Sequence, residues 1–585
     1  MLIANFRDAY EQVKRDALQS GMSVTIFVAQ DVDALAACCI LTSLLQADMI
    51  GYQQIGVNGS SEIAMRSETD LDDEDRPKKS IFLINCGAFV NIAKFMVEEH
   101  ATSTFYVVDS HRPMHLHNIY SSEWIQVFDD GDMGRIPRPD EVFDMTEYNE
   151  DEDADELDED EEFALARQQR RENPNAPIPL TRRERHARQR SIRDNYYSKT
   201  FFGTSVAIQM FMLAESLNKE STELLWWAIV GLTDQFVHER IDSAKYAAEI
   251  NQLNDAAMRL GTYDEEQSDA QADEGLTEKL AIDRMQLRFD VDFRFLLYRH
   301  WSLYESMVHS SHVGARLQVW TSKGKQKLNT MLATMGLPLS QCKQKVSVVD
   351  QAFRSRLLEQ VESHAANYQL PDVRFATFTM RHGYRPEISA SDAVYAATAI
   401  LESSNAREEN FHRAIDSLRK PRLESTSMLS CGVDASRQFH QALARLLTVI
   451  IETGMVTAGP IRHVTLSDSA DLRHFWHPAS LTKLAIHLTE ALRHQAMNTR
   501  GSFVNKPLLI AVCNSDADMY SVLGLTLGDT SGEIQKNHLG TSFREILKAD
   551  QMLRCRNDSF DSNFVEIKRE DYPNFLENLL HLHLR

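Results

Sequence analysis

The stretch that decides the fold is MSVTIFVAQDVDALAACCILTSLLQA, residues 22–47. It opens with a short apolar run without polar alternation, which is typical of a strand buried on both faces of a parallel sheet. Asp31 and Asp33 follow directly, and then come apolar residues at helical spacing. The stretch therefore predicts a strand, a turn that bears two carboxylates, and a helix.

Similar apolar runs continue through the first 130 residues, with helical segments between them. They are QQIGVN, KSIFLINC, STFYVVD and WIQVF, and a further helix is predicted near Ala88 to Glu99. Because right-handed crossovers join such strands, we expect a largely parallel sheet with helices on both faces. The strands then end along one edge, where ligands of such sheets bind.

The whole chain is predicted to form three domains, because 585 residues exceed the roughly 250–300 at which single cores stop growing. The predicted fold class is α/β. Residues 1–240 form a doubly wound parallel-sheet domain, residues 241–455 a mostly helical inserted domain, and residues 456–585 a smaller α/β domain.

Residues 144–193 are predicted to be a mobile, disordered insertion. Twelve of the sixteen residues from Glu147 to Glu162 are acidic, and nine arginines lie between Arg167 and Arg193. Such runs repel themselves and bury little apolar surface, so a solvated loop is the simplest interpretation. Two others stay open: a nuclear-import tract at TRRERHARQR, and an acidic mimic of nucleic acid that shields a basic groove.

Composition narrows the classes of protein. Sixty-two Lys and Arg against eighty-five Asp and Glu give a net charge of −23, so any DNA contact must be local. No secretory signal and no bilayer-spanning apolar run is found, which predicts a soluble intracellular protein. The seven cysteines form no C-x-x-C pair, so neither a zinc site nor a disulfide framework is indicated.

Carboxylates and a histidine follow the predicted strand ends. Asp31 and Asp33 suit ligation of a hard cation, although Asp33 is equally suited to capping its own helix. Asp109 and His111, in VVDSHRP, follow another buried strand and should reach the same edge. Asp234 lies in the apolar helical run WWAIVGLTDQF, where an unpaired carboxylate would cost several kcal/mol, so we expect a partner for it.

In this order the D-x-D pair, INCG, DSH and G-x-x-D resemble the motifs of the DHH phosphoesterase superfamily, over residues 20–240. The resemblance implies two Mn²⁺ or Mg²⁺ ions that activate water for attack on phosphate. However, Asn85 stands where the family has an acid, and Ser110 where it has the central histidine of DHH. Two ions about 4 Å apart would lack the anionic bridge that offsets their repulsion. We therefore predict no catalytic residue and no two-metal centre.

Five residues still match the metal-ligand motifs of the superfamily: Asp31, Asp33, Asp109, His111 and Asp234. Three interpretations of these residues are open. In the first they form a hydrogen-bonded structural cluster, with Asp33 capping its helix and His111 paired to a carboxylate. In the second, a single residual Mg²⁺ or Mn²⁺ is held mainly by the first three aspartates. The third is an active metal-dependent, RecJ-type single-strand exonuclease.

The lost ligands, the acidic insertion, the helical middle region and the segment HPASLTKLAIHL together resemble one family of eukaryotic replication factors within this superfamily. The resemblance implies a non-catalytic subunit of the nuclear CMG helicase that bridges the MCM ring and the GINS tetramer. It also implies a DHH-like N-terminal domain, an inserted domain that docks on the helicase, and a DHHA1-like C-terminal domain.

Single-stranded or forked DNA is a further partner that the resemblance implies, since related folds run a strand between their two α/β domains. The candidate residues combine cations with aromatic rings, which suits backbone tracking and base stacking. They are Arg462, Arg473, His474, Phe475 and Trp476. A core junction of aromatic residues explains the same segment equally well.

Overall fold

The structure is a computed structural model. It describes residues 2–69, 79–94, 103–120, 124–143, 182–269, 285–346, 348, 351–368, 370, 373–382, 386–420, 427–498, 506–526, 528, 537–550 and 552–583.

The described residues of the first part of the chain contain eight strands. They are β1 (Leu2–Ile3), β2 (Val24–Ala29), β3 (Tyr52–Val57), β4 (Ser80–Ile84), β5 (Thr104–Val108), β6 (His111–Arg112), β7 (Ile125–Phe128) and β8 (Phe201–Phe202). Six of them form a parallel sheet in the order β1-β7-β5-β4-β2-β3, which confirms the predicted parallel α/β arrangement. Strands β6 and β8 form a separate antiparallel pair. Every residue of β2, β4 and β5 is buried, as expected for apolar runs without alternation.

Helices bury this sheet from both sides. The described helices of this part, some of which pack on other helices rather than on the sheet, are Phe6–Ser20, Val32–Ala47, Ser60–Thr69, Leu116–Tyr120, Pro139–Val142, Arg182–Tyr197, Val206–Ser216, Thr222–Val237 and Ser243–Asp269. The helix Val32–Ala47 is apolar on nearly all sides, and it packs between β2 and the helices Val206–Ser216 and Thr222–Val237. Of the helix predicted near Ala88 to Glu99, one 3₁₀ turn, Ile92–Lys94, is present, and residues 95–99 lie outside the described residues.

The predicted mobile insertion is only partly described, since residues 144–181 lie outside the described residues. Residues 182–193 belong to the helix Arg182–Tyr197, so the prediction of a disordered loop was wrong for them. Tyr196 donates its hydroxyl to the Met114 carbonyl, and the Tyr197 hydroxyl accepts from the Leu116 amide. These tyrosines attach an otherwise highly charged helix to the first core, an effect that charge patterning could not reveal.

The middle of the chain adds strands β9 (Met285–Phe293), β10 (Arg374–His382) and β11 (Ile388–Ser389), which form an antiparallel sheet in the order β11-β10-β9. Its helices are Leu303–His309, Ser311–Leu317, Ser322–Thr334, Leu339–Cys342, Gln351–Ala365, Ala390–Leu401, Arg407–Arg419 and Met428–Thr453, with a 3₁₀ turn at Ala366–Tyr368.

The cores do not follow the predicted boundaries of residues 241–455. Most buried residues from Phe293 to Val373 form a core of their own, whereas Leu296, Leu297, Trp301 and the buried residues from Phe378 to Val433 share the core of the first sheet. The reason is the apolar helix Ala390–Leu401, which packs against Thr222–Val237 of the first domain. The inserted unit with its own core is therefore shorter than predicted.

The last part contains β12 (Arg462–Leu466), β13 (Leu508–Asn514), β14 (Met519–Leu525), β15 (Cys555–Arg556) and β16 (Phe564–Lys568), in the order β12-β13-β14-β16-β15. The pair β12 and β13 is parallel and the other pairs are antiparallel. Its helices are Pro478–Asn498, Leu539–Ala549 and Tyr572–Leu582, with a 3₁₀ segment at Ala470–Phe475. Across the described residues, no helix has both the length and the apolar character needed to cross a membrane.

Two isolated bridges join the first and last α/β domains, Gly59 to Ser559 and Thr200 to Asn537. At the first bridge the Asp558 carbonyl accepts from the Ser60 amide at 2.9 Å. A Cβ atom at Gly59 would lie 2.9 Å from that same carbonyl oxygen. The two chain segments therefore approach so closely that only glycine fits at position 59.

Gly59→Ala is expected to lower the free energy of unfolding by about 1–3 kcal/mol, because the added methyl group must push two backbone segments apart. Gly261→Ala is the matched control, since a Cβ atom there meets nothing within 4 Å in the helix Ser243–Asp269. The control substitution should raise the free energy of unfolding by about 0.5–1 kcal/mol, because alanine is a better helix former than glycine. Urea unfolding measures both, and equal effects would contradict the close approach.

Candidate functional site

Polar side chains follow three adjacent strands of the first sheet: Asp31 comes after β2, Asn85 after β4 and Asp109 after β5. The Nδ2 of Asn85 lies 3.2 and 3.1 Å from the two carboxylate oxygens of Asp31, to which it donates. Its Oδ1 accepts from the backbone N–H of Ser110 at 2.9 Å and from the Ser110 hydroxyl at 2.8 Å. The two residues that replace the expected ligands are therefore hydrogen-bonded to each other.

Asn85 is suited to this position in two ways. Its φ is +58°, in the left-handed region that asparagine tolerates better than most residues. Its amide is both a donor and an acceptor, so it can face the Asp31 carboxylate and the Ser110 hydroxyl at once. An aspartate would offer Asp31 a second negative charge and no donor. The asparagine thus stabilises the strand ends without an ion between them.

Asp31 is the N-cap of the helix Val32–Ala47, and its Oδ1 accepts from the Ala34 amide at 2.8 Å. Burial raises the pKa of this carboxyl to about 6, and the positive charge of Arg240 is the strongest influence that opposes the rise. The cap position was expected at Asp33, so that prediction was wrong. Asp31 holds it because its backbone is extended while residue 33 is already helical.

Asp33 is fully buried and stabilises a different helix, Val206–Ser216. Its carboxylate accepts from four donors, which are the Ser205 hydroxyl at 2.6 Å, the amides of Val206 and Ala207 at 3.0 Å, and the Gln235 side chain at 3.1 Å. Burial and the nearby charge of Asp31 raise its pKa to about 7. A Cβ atom at Gly231 would lie 2.6 Å from the Asp33 Oδ1, which explains the glycine of the G-x-x-D sequence.

Asp109 is also saturated with hydrogen bonds. It accepts from the amides of Gly87, Ala88 and His111 at 2.8, 2.7 and 2.8 Å, and its Oδ1 lies 2.7 Å from the His111 Nδ1. A carboxylate has about four acceptor sites, so none is left over. Burial alone would raise the pKa of Asp109 and lower that of His111, but their contact reverses both shifts. The predicted pairing of His111 with a carboxylate is present.

Asp234 is buried and contacts two basic side chains, so the predicted partner is present. Its Oδ1 lies 3.0 Å from the His238 Nδ1, and its Oδ2 accepts from the Arg240 Nη1 at 3.1 Å. Although burial raises the pKa of Asp234, these two neighbours hold it below its usual value. Arg240 was not predicted as a site residue from the sequence. The sequence DQFVHER does contain a signal for it, because two basic residues, His238 and Arg240, closely follow Asp234.

These residues do not fit a divalent cation. Such an ion needs several oxygen atoms free to coordinate it. Asp33 and Asp109 each accept four hydrogen bonds, and Asp234 faces a guanidinium. Across the described ranges, no group of three or more His, Cys, Asp and Glu side chains is arranged to hold a metal ion. The arrangement is therefore that of a hydrogen-bonded structural cluster.

The family model described as CDC45 matches residues 24–175, 153–408 and 403–582. The chain belongs to the CDC45 family. It is 32% identical over 594 residues to the mouse cell division control protein 45 homolog, with 100% of both chains covered. The crystal structure of CDC45 from Entamoeba histolytica covers 100% of both chains, with a TM-score of 0.68 at 19% identity. A RecJ structure with Mn²⁺ from Thermus thermophilus reaches a TM-score of 0.40 at 12% identity.

Membership of the CDC45 family confirms the predicted family of replication factors, which was inferred in part from the loss of metal ligands at Asn85 and Ser110. The matched ranges include Asp31, Asn85, Ser110 and Asp234, so the whole cluster belongs to the family region. The E. histolytica CDC45 structure shows that the mixed α/β architecture is the fold of that family.

The candidate DNA-binding residues of this CDC45-family chain are not equivalent in the structure. Phe475 is fully buried in the core of the last domain, and the Trp476 Nε1 donates to the Cys513 carbonyl at 3.2 Å. Burial of Phe475 contradicts the prediction that its ring stacks on bases, whereas Trp476 is only partly buried, so base stacking by Trp476 stays a prediction. Arg473 is exposed, while Arg462 and His474 are half-buried. Trp476 and the cations of the segment remain candidates for DNA contact.

Proposed function

We propose that this chain is a non-catalytic subunit of the eukaryotic replicative helicase CMG, which acts in the nucleus in the initiation and elongation of DNA replication. The observation that carries the proposal is end-to-end membership of the CDC45 family. The cluster at the sheet edge supports the non-catalytic part. Phosphate hydrolysis at such an edge needs metal ions and the water they activate, whereas here protein donors engage the carboxylates.

The proposed partners are the MCM ring and the GINS tetramer, which the chain bridges. We assign helicase docking to residues 293–373, the part of the predicted inserted domain that has its own core. A separate core can present side chains without disturbing the first domain. Among the described residues of this part, two large apolar side chains are exposed to solvent, Leu339 by 36% and Val348 by 73%. They are the positions at which the proposed contact can be tested.

Leu339→Asp and Val348→Asp are each expected to weaken binding to the MCM ring and GINS by about tenfold, because a charge would enter an apolar contact. Met49→Asp is the matched control, since Met49 is 95% exposed but lies in the first domain. Co-elution of purified components in size-exclusion chromatography measures the binding. Equal weakening by all three variants would contradict docking through residues 293–373.

The decisive experiment combines this chain, the MCM ring and GINS. We expect a stable complex whose ATP-driven unwinding of forked DNA requires the chain, and no release of nucleotides from single strands in Mn²⁺. The alternative, an active RecJ-type exonuclease, predicts Mn²⁺-dependent release that Asp31→Ala abolishes. That result would replace the present proposal.

Single-stranded or forked DNA is proposed as a further partner of this helicase subunit. The exposed guanidinium of Arg473 can contact the phosphate backbone, which needs no base stacking. Because contacts to phosphate carry no sequence information, we expect this contact to be independent of base sequence.

A further inference from the structure

Arg240 lies where acids of the first domain meet an acid of the last domain. Its Nη1 donates to Asp234 at 3.1 Å, and its guanidinium carbon lies 5.2 Å from the centre of the Phe202 ring. The side chain is only 17% exposed. Asp31 and Asp561 line the same cavity as Arg240 and Asp234.

The charge of Arg240 acts on more carboxylates than the one it contacts. Its own pKa is raised despite burial, chiefly by Asp234 and then by Asp31, Asp561 and Asp33. Asp33 and Asp234 are fully buried, Asp31 is half-buried and Asp561 is 32% exposed, and without a cation the negative charges of the buried acids would repel one another. In a phosphoesterase of this superfamily, metal ions would offset that repulsion. This chain has a guanidinium there instead.

A guanidinium differs from a metal ion in ways that matter here. It is charged at every relevant pH, it is covalently attached, and its N–H groups match carboxylate oxygens in a plane. It cannot lower the pKa of a bound water as a divalent ion does. The guanidinium can therefore neutralise the carboxylates at the sheet edge without activating water for hydrolysis.

Asp561 extends this role across the two domains. It belongs to the last domain, yet it lines the same cavity as Arg240, and its Oδ1 lies 3.8 Å from the His111 Nε2. The domains also meet at the bridge between Gly59 and Ser559, close in sequence to Asp561. The guanidinium thus lies between the sheet edge and the last domain.

We propose that Arg240 is a resident cation that takes the place of a metal ion: it neutralises the carboxylates of the sheet edge, excludes divalent cations and helps to hold the last domain against the first. This inference does not rest on the helicase partners, so either can fail without the other.

The test compares Mn²⁺ binding by the full chain and its variants, with calorimetry and with the electron paramagnetic resonance signal of free Mn²⁺. Arg240→Gln removes the charge, Arg240→Lys keeps it, and Arg259→Gln is the control. Arg259 is an exposed arginine that pairs with Glu215 on neighbouring helices. We expect no saturable binding by the wild type, the lysine variant or the control. Arg240→Gln should bind Mn²⁺ at least about tenfold more tightly and be thermally stabilised by it.

Two outcomes overturn the proposal directly. One is saturable Mn²⁺ binding by the wild type, or a fall in its thermal midpoint when EDTA is added. The other is a lysine variant that binds Mn²⁺ as tightly as the glutamine variant, because the charge would then not be the cause. If Arg240→Gln is not recovered folded, Arg240→Met preserves the packing of the stem on Phe202. Failure of both to fold in the presence of Mn²⁺ also contradicts the proposal, since the ion would be unable to replace the guanidinium.

Discussion

Replacing Asp33 with alanine is expected to lower the free energy of unfolding by about 3–5 kcal/mol. The carboxylate is fully buried and accepts hydrogen bonds from Ser205, Val206, Ala207 and Gln235. Alanine would leave these donors without an acceptor and the start of the helix Val206–Ser216 without its cap. Urea unfolding followed by near-ultraviolet circular dichroism measures the loss.

The same substitution should change the dependence of stability on pH. The pKa of Asp33 is raised to about 7 in the folded chain, so the folded state binds the proton more tightly than the unfolded state does. Its contribution is therefore largest at low pH and is lost as the pH rises through about 7. The difference between wild type and Asp33→Ala should be larger at pH 5 than at pH 8. A difference that grows with pH would contradict the raised pKa.

Asp8→Ala is the matched control for Asp33→Ala. Asp8 lies in the first turn of the helix Phe6–Ser20, is exposed, and accepts only from the Asn5 side chain. Its replacement should change the free energy of unfolding by no more than about 0.5 kcal/mol. Equal effects of the two substitutions would show that Asp33 does not stabilise the helix it contacts.

Asn85→Asp is expected to destabilise the chain by about 2–4 kcal/mol at pH 8. The substitution removes the two hydrogen bonds from the Asn85 Nδ2 to Asp31 and places a second carboxylate about 3 Å from the first. Two carboxyls that share a buried site cannot both ionise, so one pKa rises strongly in the folded state. By linkage the penalty should shrink as the pH falls to 5, because protonation removes the repulsion.

The control for this substitution is Asn218→Asp, because Asn218 is exposed and, like Asn85, has a left-handed backbone, with a φ of +53°. It should be nearly neutral at both pH values. Adding Ser110→His to Asn85→Asp restores the two missing ligands, and together with Arg240→Gln, which removes the resident cation, it is expected to raise Mn²⁺ affinity in calorimetry. An unchanged affinity would contradict a shared metal pocket, and a penalty from Asn85→Asp that is independent of pH would contradict the contact with Asp31.

Much of the candidate site could be predicted from the sequence because parallel strands end at a common edge. The apolar runs of β2, β4 and β5 have no polar alternation, so burial on both faces could be predicted, and the residues after each run had to converge. This placed Asp31, Asn85 and Asp109 together. The high cost of an unpaired buried carboxylate likewise predicted a partner for Asp234.

Only the tertiary structure decided which partners meet. Asp33 contacts Ser205 across 172 positions of sequence, and the helix Ala390–Leu401 returns to a core formed by the first domain. The sequence determined which faces are apolar and which residues carry charge, because periodicity reports burial. It could not determine that Arg240 faces the sheet edge or that Phe475 is in the core, because the same pattern allows several pairings. The pairing is selected by the packing of all the elements together.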